Sequence, residues 1–588
     1  MSNIYIGISI GPIDKTMQMG TKTRETWAAS YLISYICRSL IEEFNSKGCK
    51  PENYIMPYWA PAENIKPGAG FLADKIILAE SDTFSYLDII DAISTVKKSL
   101  ADKIIKALTD NSKEARYLKR QNGYQKVGIS EIVNNKEKAT EYLQKYFQIY
   151  SCEVDLSAEI IPGINRLRTI NTVLDQLELR YSLVDADPNP LRLFLHAVNH
   201  TFLLQDCFHE KITHFDSLPE IALRELRTKY ETKYDTASET VYETIKKATE
   251  DETKIAENEV IDEDDKEPFA SLIALASSEE EDFFRTYHNY VAVVIADGDK
   301  LGKLLKAIEA KGKDNSQFQT DIEAFSKRLH DFSKKAYAII AGSRYTTGKK
   351  EDWGYGAAPV YMGGDDLLFF APVANIVMGK KKTIFDVVKD IDDCFSKCFD
   401  QNEYQNLKDD DDNEIKPCIS FGVYISYIKH PLREAVMRSR ELLYEAKNSK
   451  FETRNRLNFE VRKHSGSTFG AIINKSETQL FSDFLMLINN EESPDKEQFL
   501  SSVTQKMREQ KSTVTSVLAN KWHLDAYFDD EFNKEVHASQ RRYLDQCRDY
   551  LFSVSQLDPS KNPENEKLLE NFFAALKLNH FLHARTND

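Results

Sequence analysis

The chain has 588 residues and carries 93 acidic against 77 basic side chains, a formal net charge of −16. A field of that sign repels nucleic acid, so any RNA or DNA contact has to be local or made through partner chains. The length predicts about three to five domains. There is no signal-peptide pattern and no apolar run long enough to span a bilayer, which predicts a cytoplasmic protein without membrane contact.

Eight cysteines are scattered along the chain; Cys394 and Cys398 lie four apart on a predicted helix, with no second pair at zinc-ligand spacing. They read as reduced, mostly buried thiols.

The first predicted element is the strand IYIGISIG (4–11), ending at Gly11-Pro12. From Thr23 to Phe44 apolar residues recur at helical spacing (Trp27, Tyr31, Cys37, Leu40, Ile41, Phe44), and the short strand YIMPYW (54–59) follows. This predicts an α+β domain, although the hairpin that would close it is not evident. Residues 96–127 and 438–463 lean basic and read as solvated helix faces. Residues 158–248 read as mainly helical, and TEDETKIAENEVIDEDDKEP (249–268) as a solvated acidic linker.

A second α+β segment spans about 285–470. Its predicted order is strand 290–296, helices 301–310 and 319–341, a hairpin around 360–370, helix 382–399, strand 418–426 and helix 432–449. That is βαββαβ, the ferredoxin-like or palm arrangement. From 476 onward the pattern is helical with no clear strand. The fold class expected is therefore α+β: two palm-like domains (1–160 and 286–470), a helical region between them (161–285), and an all-α C-terminal domain (471–588).

The chemistry concentrates in VYMGGDDLLFF (360–370). Gly363 and Gly364 can take positive φ, so a tight hairpin fits, and Asp365 and Asp366 read either as turn residues or as ligands. A second carboxylate strand favours ligands. VAVVIADGDKLG (291–302) reads as a buried strand ending at Asp297, after which Gly298, Asp299 and Gly302 break into a helix. Asp297 paired with Asp365 or Asp366 would make a two-carboxylate Mg²⁺ site of the kind used in phosphoryl transfer.

Three motifs occur in order: ADGDKLG (296–302), GGDD (363–366) and SFGVYISYIKHPLREAVMRSRELLYEAKNSK (420–450). Together they resemble the cyclase-like palm shared by diguanylate cyclases and the large subunit of type III CRISPR effector complexes. The opening GISIGPIDKTMQMGTKTRETWAASYLISYI (7–36) resembles the first, inactive palm of the Cmr-type (III-B) subunit. HFDSLPEIAL (214–223) and KHSGS (463–467) resemble a segment between the palms and the end of the second.

The resemblance implies a subunit that makes a nucleotide second messenger from ATP when its complex captures target RNA. Asp297, Asp365 and Asp366 would hold Mg²⁺ or Mn²⁺, and backbone N–H groups of Gly298, Asp299, Lys300 and Leu301 would cradle the phosphates, beside the turn glycines Gly363 and Gly364. Lys447 would pair with the β- and γ-phosphates; Arg438 and Arg440 are weaker candidates on the same helix. Asp299 reads as a ligand or, by preference, as the N-terminal cap of the helix, and Ser420 would contact the base. The product would be cyclic oligoadenylate, or AMP joined to an acceptor such as S-adenosylmethionine. Implied partners are the other Cmr-type subunits, guide RNA and target RNA.

Two family features are expected to be missing. No HD nuclease is expected, since the first palm begins near residue 4 and the one His-Asp pair, His330-Asp331, falls in a predicted helix. A four-cysteine zinc site between the palms is expected to be lost, with only Cys152 and Cys207 nearby. The rival readings are a non-catalytic scaffold of the guide-RNA complex and a stand-alone diguanylate-type cyclase. Against the second, GYGA occupies 354–357, where an Arg-x-x-Asp inhibitory site would fall.

Overall fold

A computed structural model of the chain describes residues 4–58, 69–72, 74–109, 123–156, 166–180, 185–197, 200–207, 215–226, 228–229, 284–311, 315–342, 354–399, 404, 407–409, 412–448, 454–490, 496–518, 520–556 and 565–585. The acidic stretch 249–268 and part of the basic stretch 96–127 lie outside these residues.

The first sheet is built from β1 (Ile4–Gly11), β2 (Tyr54–Met56), β3 (Lys75–Ala79) and β4 (Gln148–Asp155) in the order β2-β3-β1-β4, with antiparallel pairing throughout. Helix Thr23–Ser46 connects β1 to β2, and helix Tyr86–Thr109 follows β3. The order is the ferredoxin-like one, and β3 with β4 closes the domain that the sequence left open. Tyr5, Ile6, Ile8 and Ile10 of β1 are buried. Gly7 on the same strand has a structural reason: a Cβ there would meet Ile170 Cγ2 at 2.7 Å, so its absence lets helix Arg166–Glu178 lie against the sheet.

Helix Thr23–Ser46 is buried around most of its circumference, which an amphipathic surface helix would not be. It is covered by the first sheet, by the inter-palm segment and by the second palm. Trp27 stacks on Tyr31 at 5.3 Å and on Phe215 of the inter-palm segment at 5.6 Å.

The second sheet has six strands in the order β12-β11-β10-β5-β7-β6. Four of them repeat the ferredoxin-like order: β5 (Tyr290–Asp299), β6 (Ala358–Gly363), β7 (Asp366–Pro372) and β10 (Cys418–Tyr427). Helices Leu301–Lys311 and Asn315–Ile340 join β5 to β6, and helix Ile384–Phe399 precedes β10. A small hairpin, β8 (Ala374–Val377) with β9 (Lys380–Thr383), stands apart. Helix Leu432–Lys447 then crosses over to β11 (Arg456–Arg462), which runs parallel to β10, and β12 (Thr468–Asn474) completes the sheet.

These last two strands are a departure from the sequence reading. The basic stretch 438–463, expected as a solvated helix face, ends in β11, whose Leu457, Phe459 and Val461 are buried. The boundary expected at 470 falls inside β12. Alternation over seven residues with charged ends is a weak signal beside the helical stretches on either side.

The palms pack face to face. Helix Thr23–Ser46 of the first lies against β6 of the second, and helix Asn315–Ile340 of the second lies against β2 of the first. Between them Met362 N donates to Gly70 O at 2.8 Å, and Tyr58 N donates to Ser326 Oγ at 2.6 Å. His330 packs beside Tyr58 and Phe71 in this contact. The C-terminal region is helical, and its last helix, Asn565–His583, docks on β12, with Asn571 Nδ2 donating to Ile472 O at 2.8 Å. Among the described residues no helix is long and apolar enough to cross a membrane.

Candidate active site

The Gly-Gly-Asp-Asp stretch is a two-residue hairpin. Gly363 pairs with Asp366 across β6 and β7, leaving Gly364 and Asp365 as the turn. Gly364 has φ +70°, a conformation for which glycine is the natural residue at the first position of a type II′ turn. Gly363 is required for a different reason: a Cβ there would overlap the Tyr361 ring. Ser333 Oγ, from helix Asn315–Ile340, donates to Gly364 O at 2.9 Å and pins the turn.

The pinned turn sets Asp365 onto β5. A Cβ on Gly298 would stand 2.5 Å from Asp365 Oδ2 and 2.8 Å from Asp365 Cβ, so the carboxylate occupies the space that a side chain at 298 would fill. Asp297, one residue earlier, and Asp366, at the start of β7, complete a cluster of three carboxylates. Desolvation, then the charge of Asp297, raises the Asp365 carboxyl to about 6. Desolvation and then the charges of Asp365 and Asp297 push Asp366 well up. Asp366 is exposed to solvent, so for this residue mutual repulsion is the cause that bears on cation binding.

Lys447, in the last turn of helix Leu432–Lys447, supplies positive charge. Its Nζ pairs with Asp297 Oδ2, donates to Gly298 O at 2.9 Å and lies 3.5 Å from Asp299 Oδ1. Arg438 is instead held by Glu441, Glu445 and Glu460, and Arg440 by Asp14 of the first palm at 2.6 Å. One helix face thus delivers one cation to the carboxylates.

Three expectations change. β5 does not end at Asp297; it stays paired with β10 through Asp299, opposite Cys418. Gly298 and Asp299 are therefore strand residues, and only from Lys300 (φ +65°) does the backbone turn into the helix beginning at Leu301. Asp299 does not cap that helix. It is fully buried and accepts hydrogen bonds from Ser420 Oγ at 2.5 Å and Asn455 N at 3.1 Å. Ser420 is likewise fully buried, with its hydroxyl committed to Asp299 and accepting from Arg456 N at 3.2 Å, so it faces no base.

The sequence reading missed a group behind Asp299. Lys475 is buried, with Nζ donating to Asp392 at 2.6 Å, Asn455 Oδ1 at 2.6 Å and Ile419 O at 2.8 Å. Asn455 (φ +72°) relays that contact to Asp299 through its amide. No spacing or composition signal marks Lys475, since it follows a short strand and looks like any surface lysine.

Among the described residues, no three His, Cys, Asp or Glu side chains are gathered tightly enough to hold a metal ion by themselves. The donor set nonetheless fits Mg²⁺ or Mn²⁺, which take one or two carboxylates and fill the remaining positions with water and phosphate oxygens. Asp299 Oδ1, buried and faced only by the Lys447 ammonium at 3.5 Å, adds an acceptor at the same place. Asp297 and Asp365 are the residues that would hold the cation, with Asp366 open to solvent beside them.

Two ferredoxin-like domains, one presenting carboxylates on a β-hairpin beside an aspartate of the neighbouring strand, define the polymerase- and cyclase-like palm class. Sequence comparison agrees. The family "Cas10/Cmr2, second palm domain" matches residues 290–458, and "CRISPR-associated protein Cmr2, N-terminal" matches residues 5–115. The chain belongs to the Cas10/Cmr2 family of type III CRISPR large subunits.

No curated protein matches the sequence. Among solved structures, the chain is similar to type III-B Cmr-beta bound to cognate target RNA, with 12% identity, TM-score 0.50, and coverage of 87% of this chain and 76% of that one. It is also similar to the apo state of Cmr-beta (12% identity, TM-score 0.46, 80% and 70% covered). A third is the Csm1-Csm4 cassette in complex with cA4 (11%, TM-score 0.46, 99% and 70%). At such identities the likeness concerns the fold.

Proposed function

We propose that this chain is a metal-dependent nucleotidyltransferase that makes a nucleotide second messenger from ATP within an RNA-guided antiviral complex. The observation that carries the reading is the pressing of Asp365 onto Gly298 beside Asp297, with Lys447 reaching the same carboxylates. A turn aspartate with no task would face solvent; Asp365 is held against a strand and beside Asp297 despite their repulsion.

A divalent cation at Asp297 and Asp365 would lower the pKa of an attacking hydroxyl and offset charge on the α-phosphate. The chain's own residues do the rest. Lys447, already poised at the carboxylates, turns to the β- and γ-phosphates as a compact point charge. The amides at Lys300 and Leu301, at a helix N-terminus, face anionic oxygen. Ser420, Asn455 and Lys475 fix Asp299 behind Lys447.

The product is cyclic oligoadenylate, or AMP joined to an acceptor such as S-adenosylmethionine; both need the same donor site and differ in the acceptor pocket. Family membership and the Cmr-beta likeness support partnership with other Cmr-type subunits, guide RNA and target RNA, in the cytoplasm. The same reading assigns residues 1–160 to a non-catalytic palm, 161–285 to the inter-palm region, 286 onward through β12 to the catalytic palm, and the remainder to a helical domain.

The test uses the chain co-purified with its neighbouring subunits and guide RNA. Labelled ATP, Mn²⁺ and target RNA are added with and without S-adenosylmethionine, and products are identified by mass spectrometry. Adenylate-only products establish oligoadenylate synthesis, and a product requiring the second substrate establishes conjugation. No product under any condition refutes the enzyme and leaves the scaffold.

A further inference from the structure

Tyr361 stands on β6 two residues before Gly363, and the strand registers place it on the same face of the sheet as the carboxylates. Ile295 of β5, Leu368 of β7 and Tyr361 form one row across the sheet. Asp297, Asp366 and Gly363 each lie two residues away along the same strands, and residues two apart share a face. The Tyr361 ring folds over Gly363: the space a Cβ at 363 would take is filled by the phenol oxygen and the carbon that bears it. Gly363 is paired with Asp366, so the hydroxyl stands at the strand position next to that carboxylate.

The first palm holds the other edge of this ring. Gly70 bridges to Tyr361 through the backbone, and a Cβ on Gly70 would lie 3.5 Å from Tyr361 Cδ2. Tyr361 is half-buried, and among the described residues its hydroxyl meets no hydrogen-bond partner. Phenylalanine would fill the seam between the palms equally well, so packing leaves the hydroxyl without a task. Desolvation, then the charges of Asp366, Asp74 and Asp365, holds the phenol well above the usual tyrosine range, which keeps it a hydrogen-bond donor.

Position across the sheet decides what that donor meets. The strand order β10-β5-β7-β6 sets Tyr361 on the far side of Asp297 and Asp366 from Lys447, whose helix packs on β10 and β5. With Lys447 as the partner of the β- and γ-phosphates, the leaving pyrophosphate lies on the β10 side. In an in-line displacement the attacking oxygen enters from the opposite side, which is the side of Tyr361 and the first palm. We propose that the Tyr361 hydroxyl binds and orients the acceptor, donating a hydrogen bond to a ribose oxygen, a group that ATP and S-adenosylmethionine share. The inference rests on the nucleotidyltransferase reading and adds the acceptor's contact to it. It also gives the first palm a part in the reaction, since Gly70 seats the ring.

The experiment compares Tyr361→Phe, which keeps the ring over Gly363, with the parent chain, both in complex with the partner subunits and guide RNA. Product formation is followed with labelled ATP, Mn²⁺ and target RNA, with and without S-adenosylmethionine. Donor binding is read by calorimetry as the Mn²⁺-dependent affinity for α,β-methylene ATP, whose bridging carbon blocks transfer. Loss of one hydrogen bond to the acceptor lowers kcat/KM about tenfold, while donor affinity and melting temperature stay at the parent's values. Turnover within a factor of about two of the parent overturns the proposal. So does weaker donor binding, which moves the contact to the donor nucleotide, or a lower melting temperature, which makes the hydroxyl structural. A parent chain that forms no product in any condition refutes the nucleotidyltransferase and this proposal together, so the two failures are distinct.

Discussion

Gly298→Ala is the most demanding single test of the carboxylate site. The backbone at 298 is ordinary strand, so alanine meets no conformational penalty there. Its methyl group would, however, lie 2.5 Å from Asp365 Oδ2 and 2.8 Å from Leu301 Cδ1, against ordinary contacts of 3.4–4 Å. The carboxylate must retreat by about 1 Å, and a displacement of that size at a reacting centre costs about a hundredfold in rate. The stability cost of one crowded methyl is about 1–3 kcal/mol, and the adjacent two-residue turn can absorb part of it. The expected variant is therefore folded, assembles with its partner subunits and turns over labelled ATP about a hundredfold more slowly. Assembly is read by size-exclusion chromatography and turnover by product formation with Mn²⁺ and target RNA. Turnover within a factor of about two of the parent chain would show that Asp365 has no role at its position on β5, and the metal-site reading would fall with it.

Asp365→Ala with Asp366→Ala should abolish ATP turnover while leaving folding and complex assembly intact, because a solvent-edge turn supports little core; unfolding of the double variant in circular dichroism shows the pair to be structural. Lys447→Ala should raise KM for ATP by about tenfold or more through the lost phosphate partner, and an unchanged KM removes Lys447 from the nucleotide site. Ser420→Ala strips a buried carboxylate of a hydrogen bond, a cost of about 1–3 kcal/mol. Thermal stability and kcat should fall while preference for ATP over GTP stays, whereas a changed preference restores a base contact. The pH response follows from the raised carboxyls of Asp365 and Asp366. A folded-state pKa above the unfolded one means that ionisation disfavours the folded chain. In EDTA, stability therefore declines as pH rises from about 4 through about 6. Mn²⁺ should raise the melting temperature more at pH 7.5 than at pH 5, and an equal rise at both refutes the shared-carboxylate origin.

Much of the second palm was legible because its signals are local. A buried apolar strand running into Asp297, two glycines before two aspartates, and helical spacing over 432–449 each rest on a few contiguous residues. What escaped depends on distant partners. β5 continues past Asp297 because β10, more than a hundred residues later in the chain, keeps pairing with it. Asp299 looked like a helix cap and Ser420 like a base contact because nothing local shows that they satisfy each other across that pairing. Lys475 is invisible for the same reason, since its burial is created by Asp392 and Asn455 from other elements. In the first palm, KIILA (75–79) is too short to announce β3, yet it is what closes the domain. The placing of Asp297, Asp365 and Lys447 together follows from the sequence; what stands behind them does not.

The contact between Met362 N and Gly70 O has a practical side. β6 is the outermost strand of its sheet, and an unpaired strand margin is a template for self-association. Here the first palm caps that margin three residues before Asp365. A fragment comprising only the second palm would lose this cover together with the neighbouring helix Thr23–Ser46, leaving the hairpin sticky and poorly seated. Preparations of this domain alone are thus expected to precipitate or to be sluggish for reasons unrelated to the chemistry of the aspartates, and biochemical work is better begun on the two palms as one piece.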